Sequence, residues 1–288
     1  MKHSLNITMK KSIDVYHSFL THPVIGAPAR EYLNSRGISD SHIDRFKLGF
    51  APDDWQNLKE LQSDKESTKL LIDAGLLIEK EGGGHSYSRF RNRVMFPIYD
   101  RIGRPIAFGG RTMGDDKPKY LNSPETLVFK KSHEIYNIDT ARKSLANYLI
   151  VTEGYVDVIT ADIFGMDNCC ASLGTAINED QIERLFHINP NLLFCFDGDK
   201  AGRKAANLAL EKILLSQLDI NAKFVIFPDN LDLDSYLNQF GLDGFHELCN
   251  SAPNQFDYLT VIIEEKFDST IIGDAKARHY QSSLGMNP

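Results

Sequence analysis

The sequence predicts an α/β protein: an α+β N-terminal part with a basic hairpin, then a module built on a parallel sheet, then a helical segment. Three observations carry this. From Asn147 onward, near-continuous apolar runs alternate with amphipathic ones, the pattern of parallel strands covered on both faces. Upstream, RFRNRVMFPIYDRIGRPIAFGGR alternates along its length and breaks at a D-R-I-G-R turn around Gly103, the mark of a β-hairpin. Between about Ile13 and Leu77 the apolar spacing is helical, in short pieces.

In chain order, APAREYLNSRG reads as a helix ending on Gly37 as its C-cap, and SDSHIDRF starts another with Ser39 or Ser41 as N-cap. GFAPDDW, Gly49 to Trp55, reads as a turn-rich link. In SRFRNRV, side-chain alternation puts Arg89, Arg91 and Arg93 on one strand face as a basic strip. Pro97 and Pro105 each remove a ladder donor, so the hairpin needs an unpaired side or a bulge. Phe90, Phe96 and Phe108 are expected in its core. The second half reads as strand NYLIVTEG, helix YVDVITADIFG, strand NCCASLG, helix NEDQIERLFHI, strand LLFCFDGD, a helix of about five turns from Lys200, and strand AKFVIFPD. After Asp234 the pattern is helical to roughly Phe267 with a break at Gly241, and the polar stretch from Asp268 to Pro288 is expected to be loosely attached or truncated. Domain boundaries are placed at 1–146, 147–234 and 235–288.

Composition narrows the class. The chain has 288 residues, 42% hydrophobic, with a net charge of −7, an ordinary globular balance that argues against a simple polyanion binder. Charge is unevenly spread, because Arg89 to Lys131 holds ten basic residues against four acids. Cys169, Cys170, Cys195 and Cys249 show no C-x-x-C spacing and read as reduced thiols of a cytosolic protein, with no zinc expected. No run approaches a membrane span or a signal peptide, so a cytoplasmic protein is expected.

Ligands of open α/β sheets gather beyond the carboxyl ends of the strands. Glu153 ends the first strand there, Asp197 and Asp199 end the third, and Asp232 and Asp234 follow the fourth, while Asp157 lies one helical turn after Glu153. Each has a plainer reading: Asp199 could cap the helix at Lys200, and Glu153 the helix after Gly154. Their shared placement on one sheet edge favours a bound cation instead. Carboxylate oxygen is hard, so the ion is Mg²⁺ or Mn²⁺, and magnesium fills its shell with water and phosphates. Phosphoryl or nucleotidyl transfer becomes the leading chemistry.

The order strand, E-G-Y-x-D-V, strand, D-G-D-x-A-G, then D-x-D resembles the Toprim module of topoisomerases, primases and related nucleases. RFRNRVMFPIYD, GRPIAFGGR, KPKYLNSPET, FKKS and IYN, with GFAPDDW and REYLNSRGIS, look very like the catalytic core of bacterial replicative (DnaG-type) DNA primases, a similarity covering roughly Tyr16 to Phe267. The resemblance implies a DNA-directed RNA polymerase that makes short RNA primers on single-stranded DNA from ribonucleoside triphosphates. It implies that Glu153, Asp197 and Asp199 bind catalytic metal and that Asp157, Asp232 and Asp234 complete the acidic surface. It also implies that Arg111, Lys119 and Lys131 handle template or nucleotide phosphates, with Arg36, Tyr120 and Asn122. The rival readings are a Toprim-type nuclease and a non-enzymatic DNA-binding remnant.

Three departures stand out. Family members usually begin with a zinc-binding domain, and this sequence has no ligand set for one. They usually end with a domain that binds the replicative helicase, for which the stretch after Phe267 leaves no room. Leu233 stands where the family typically has proline. The expectation is therefore a monomeric core fragment or the product of a shortened gene.

Overall fold

Leu5, Met9, Ile13, Tyr16 and Leu20 recur every three or four residues, and all are buried along one stripe of a single helix, α1 (Lys2–Thr21). The helix begins a dozen residues earlier than the sequence suggests, because apolar residues are sparse among the polar ones of its first turns. The computed structural model describes residues 1–80, 86–174, 176–228 and 230–271. The expected loose stretch therefore lies mostly outside the described residues.

After α1, α2 (Ala27–Ser35) runs into Gly37, which takes the left-handed φ of 75° that favours glycine at a helix end. Ser39 occupies the N-cap position of α3 (Asp40–Arg45), but its hydroxyl bonds the side chains of Ser41 and His42 rather than the helix amides. The expected link at Gly49 is instead a strand, β1 (Gly49–Ala51), paired antiparallel with a later strand. A 3-10 turn at Lys59–Leu61, α4 (Lys65–Asp73) and the short ribbon β2 (Leu77–Ile78) and β3 (Tyr87–Ser88) follow. Then come β4 (Arg93–Tyr99), β5 (Pro105–Thr112) and β6 (Tyr120–Asn122), which give an antiparallel sheet of order β1-β4-β5-β6.

The hairpin β4–β5 forms as its alternation requires, and Phe90, Phe96 and Phe108 are fully buried at its core. Pro97 lies past the last β1 partner of β4, Met95, so its missing donor faces no ladder, and the register shifts between Ile98 and Tyr99 next to the Pro105 end. The basic strip does not form. Asn92 adopts φ 48° and ends any strand before Arg93, so the three arginines leave in different directions. Arg91 lies 3.9 Å from the Trp55 ring centroid. Arg93, 6% exposed, turns inward, with Nη1 3.0 Å from the Gly110 carbonyl and 3.1 Å from that of Pro118.

The second half follows the predicted grammar: α5 (Ile138–Ala141), β7 (Leu149–Thr152), α6 (Tyr155–Ile163), β8 (Cys169–Ala171), α7 (Glu179–Phe186), β9 (Asn191–Phe196), α8 (Lys200–Leu215), β10 (Asn221–Ile226), α9 (Leu233–Ser251) and α10 (Gln255–Ile271). At 16 residues, α8 is somewhat shorter than five turns. The strands pair in parallel in the order β10-β9-β7-β8. Gly241, at φ 67°, kinks α9 at the expected break. One buried cluster joins α6 and α9 to the antiparallel sheet and α1, and a second packs α7, α8 and α10 on the other face. The two sheets thus share a core through α6. Arg45 of α3 pairs with Asp162 of α6 at 2.6 Å, and Tyr136 makes an antiparallel bridge to Ala171 of β8. Among the described residues no helix is long and apolar enough to cross a membrane.

Replacing Arg93 by Met should lower stability by about 2–3 kcal/mol, since carbonyls satisfied by a charged donor lose it inside the fold. Urea denaturation of the two proteins measures this, and an unchanged midpoint would show that water reaches those carbonyls.

Candidate active site

Beyond the carboxyl ends of β7 and β9, the tight geometry of D-G-D-K-A-G, Asp197 to Gly202, follows from its two glycines. A Cβ on Gly198 would lie 2.2 Å from the Phe227 carbonyl oxygen, because the segment after β10 crosses directly over it and accepts the Gly198 N–H at Leu231 O, 2.9 Å away. A Cβ on Gly202 would meet the Asp197 carbonyl oxygen at 2.2 Å. Only with glycine at both places does the start of α8 lie flat against the end of β9 and hold Asp197 at the sheet edge.

A cleft of about 260 Å³ opens there. Of the twelve residues singled out from the sequence, nine line it: Arg36, Lys119, Tyr120, Asn122, Glu153, Asp157, Asp197, Asp232 and Asp234. Tyr32, Gly154, Tyr155, Val156 and Gly174 complete the lining. Three do not line it. Asp199 is the N-cap of α8, its Oδ1 accepting the Gly202 N–H at 2.7 Å. Arg111 lies beside the cleft, with its guanidinium 4.0 Å from the Tyr32 ring centroid and Nη1 donating to the Thr112 carbonyl. Lys131 sits in the segment after β6, its backbone N–H donating to Glu125 Oε1 at 2.9 Å.

The six acids divide by role. Asp157, 6% exposed, spends both oxygens internally: Oδ2 accepts from the Gly154 N–H and the Thr152 hydroxyl, and Oδ1 from the Asp234 N–H. Asp234, 3% exposed, accepts from Arg36 Nη1 at 2.8 Å, from the Thr160 hydroxyl at 2.6 Å and from Asn238 Nδ2 at 3.0 Å. Asp232 caps α9, accepting the Ser235 N–H at 2.8 Å. Glu153 accepts one long bond from the Asp197 N–H, at 3.4 Å. Among the described residues, Glu153, Asp197, Asp199 and Asp232 have no basic ion-pair partner, whereas Asp234 has Arg36.

This crowding shows in proton affinity. Burial, then the charges of Glu153, Asp232 and Asp199, push the Asp197 carboxyl up to about 7. Burial, then Asp232 and Asp197, push Asp157 well above the carboxylate range. Burial also raises Glu153, partly offset by the Asp197 N–H. No three His, Cys, Asp or Glu side chains among the described residues are grouped as a complete ligand set. Magnesium does not need one, since it usually takes one or two protein carboxylates and completes its octahedron with water and phosphate oxygen. Glu153 and Asp197, with raised proton affinity and no basic partner among the described residues, fit such an ion.

Beyond Tyr120, the sequence missed the aromatic residues of the cleft, Tyr32 and Tyr155. Tyr155 stacks on Phe96 at 5.0 Å between centroids and donates its hydroxyl to Asn122 Oδ1 at 2.5 Å. The signal was present, since the tyrosine sits in the E-G-Y triplet itself. The Arg36 to Asp234 pair, 198 positions apart, left no local signal.

In chelator, the folded chain holds a proton on Asp197 that the unfolded chain releases near pH 4, so stability should fall as pH rises from about 4 to about 7 and level off above that. Asp197→Asn should flatten that fall and raise the midpoint of thermal unfolding at pH 8. A steeper fall in the variant would contradict the electrostatic account.

Comparison with known proteins identifies relatives along most of the chain. Residues 15–142 match the family model of the DNA primase catalytic core, N-terminal domain, and residues 150–237 match the Toprim-like family. The DNA primase of Pseudomonas putida is 49% identical over 246 residues, covering 83% of this chain and 37% of that protein. The DNA primase of Escherichia coli K12 is 45% identical over 241 residues, covering 82% and 41%. The chain thus spans well under half the length of these relatives. A DnaG primase catalytic domain bound to single-stranded DNA superposes with a TM-score of 0.85 at 40% identity, covering 92% of this chain and 84% of that one. A DNA primase domain from Pseudomonas aeruginosa gives 0.84 at 43% identity, covering 93% and 83%. By these matches the chain belongs to the DnaG-type DNA primase catalytic-core family.

Proposed function

We propose that this chain is a DNA-directed RNA polymerase core that joins ribonucleotides into short primers on single-stranded DNA, a nucleotidyl transfer carried out in the cytoplasm during replication. One observation carries the reading: Glu153 and Asp197, carboxylates without a basic partner among the described residues, share one cleft with Arg36, Lys119 and Tyr120. Polyanionic substrates need the basic residues, and a reaction that builds charge on phosphorus needs the carboxylates.

Glu153 and Asp197 are the residues we assign to holding Mg²⁺ or Mn²⁺, with Asp199 and Asp232 contributing charge from the adjoining helix caps. When bound, the ion offsets charge on the attacking 3′ hydroxyl, the α-phosphate and the departing pyrophosphate. The chain's own residues do the rest. Lys119 supplies a mobile point charge to phosphate, and Arg36, held by Asp234 on one side, keeps its remaining donors free for a second anion. Arg111, stacked on Tyr32, adds positive potential behind them. Outside the cleft, Trp55 is 57% exposed and carries Arg91 on its face, an aromatic and cationic surface suited to unpaired bases. Support for a single-stranded template comes also from the related catalytic domain described as bound to single-stranded DNA. Asp157 and Asp234 enter this scheme as scaffolding for the edge rather than as metal ligands, and Lys131 as a basic residue reached by a longer template. A nuclease would not require the basic antiparallel half, which is why that reading is set aside.

Incubated with single-stranded DNA, labelled ribonucleotides and Mg²⁺ or Mn²⁺, the purified chain should produce short labelled RNA, and Asp197→Asn should reduce synthesis by at least about 100-fold while retaining DNA binding. Shortened DNA in place of labelled RNA would instead identify a nuclease. DNA binding with no turnover in either protein would identify a remnant.

A further inference from the structure

Three motif residues that the function does not use meet at one place. Tyr155 opens α6 immediately after Glu153 and Gly154, yet its ring packs against the antiparallel sheet. It is 6% exposed, stacked on Phe96 and edge-on to Tyr136 at 4.8 Å. It lies over the backbone of Gly109, where a Cβ would come within 2.3 Å of the ring. Its hydroxyl reaches Asn122 of β6, and the same side chain donates from Nδ2 to the Leu173 carbonyl after β8 at 2.9 Å. Asn122 is thereby tied at both polar ends to the parallel-sheet module.

β6 also carries Tyr120, with Lys119 just before it, and the chain from β7 to α6 carries Glu153. A displacement of Tyr155 against Asn122 therefore moves the basic wall relative to the acidic one, with little effect on either wall by itself. We propose that Tyr155, Asn122 and Gly109 form a lock that sets the separation of the two walls, which makes Tyr155 and Asn122 positioning residues for nucleotidyl transfer; this rests on the polymerase reading above. Asn122 acts through Lys119, Tyr120 and Glu153 rather than by touching nucleotide.

Tyr155→Phe removes only the hydroxyl and keeps the ring in its notch. The expected result is a fall of about tenfold in kcat for ribonucleotide incorporation, with single-stranded DNA affinity by fluorescence anisotropy within about twofold of the parent, since small misplacement of reacting groups costs rate before it costs binding. Asn122→Ala should give a similar loss, and the double variant no more than either single one. A kcat kept within about twofold while thermal stability falls would make the hydroxyl merely structural and overturn the proposal, as would losses that multiply in the double variant. If the parent chain makes no RNA, the polymerase reading fails, and hydrogen exchange still decides on the lock. Exchange at residues 121–123 and at residues 156–158 should accelerate together in Tyr155→Phe. Acceleration on one side alone overturns it.

Discussion

Like-charged carboxylates crowd the carboxyl edge of the parallel sheet, and most of the local architecture is explained by how their repulsion is managed. Two solutions coexist. Asp234 and Asp157 are neutralised from within: Arg36 reaches across from α2 to the first, and backbone amides, hydroxyls and a raised proton affinity accommodate the second. Glu153 and Asp197 receive one weak amide contact between them. A fold selected for stability alone would have replaced them or supplied a base, since partly buried carboxylates without partners are costly. Their persistence at a site where helix caps and glycines enforce the geometry marks the edge as functional.

The N-terminal subdomain is held to that edge by contacts that serve the site as well as the fold. Arg36 and Arg45, nine residues apart on the α2–α3 segment, anchor to Asp234 of α9 and Asp162 of α6. Buried aromatic stacking between Tyr155, Phe96 and Tyr136 fills the seam between the sheets. Cohesion here comes mainly from apolar and aromatic burial, because both arginines remain partly exposed and such pairs contribute little by themselves. What the ion pairs add is direction: they fix where the arginine donors point.

Legibility in the sequence followed the range of the interactions. The parallel module was readable because apolar strands such as LIVT and LLFCF, and the cap at Asp199, are set by neighbouring residues, although the cap expected of Glu153 is taken by Gly154. The hairpin was readable down to the position of its proline irregularity. β1 was not, because a three-residue strand in G-F-A-P-D-D-W is made by its partner Met95 rather than by its own pattern. The arginine strip failed for a related reason: alternation in R-F-R-N-R suggests a strand, but the left-handed Asn92 breaks it, and Arg93 earns burial by donating to carbonyls that no local rule places nearby. At the site, the acids were identifiable as a group. That Asp234 is already paired, and that Asn122 is tied at both ends, depended on partners 198 and 33 to 51 residues away.

The central claim is that Glu153 and Asp197 take their counter-ion from solution, while Asp234 takes its from Arg36. Anomalous scattering from a crystal soaked in Mn²⁺ tests it most directly. The account predicts manganese against Glu153 and Asp197 on the cleft side, with the Arg36 to Asp234 pair intact. Manganese ligated by Asp234 with Arg36 displaced, or no manganese at Glu153 and Asp197 under saturating metal, would contradict it.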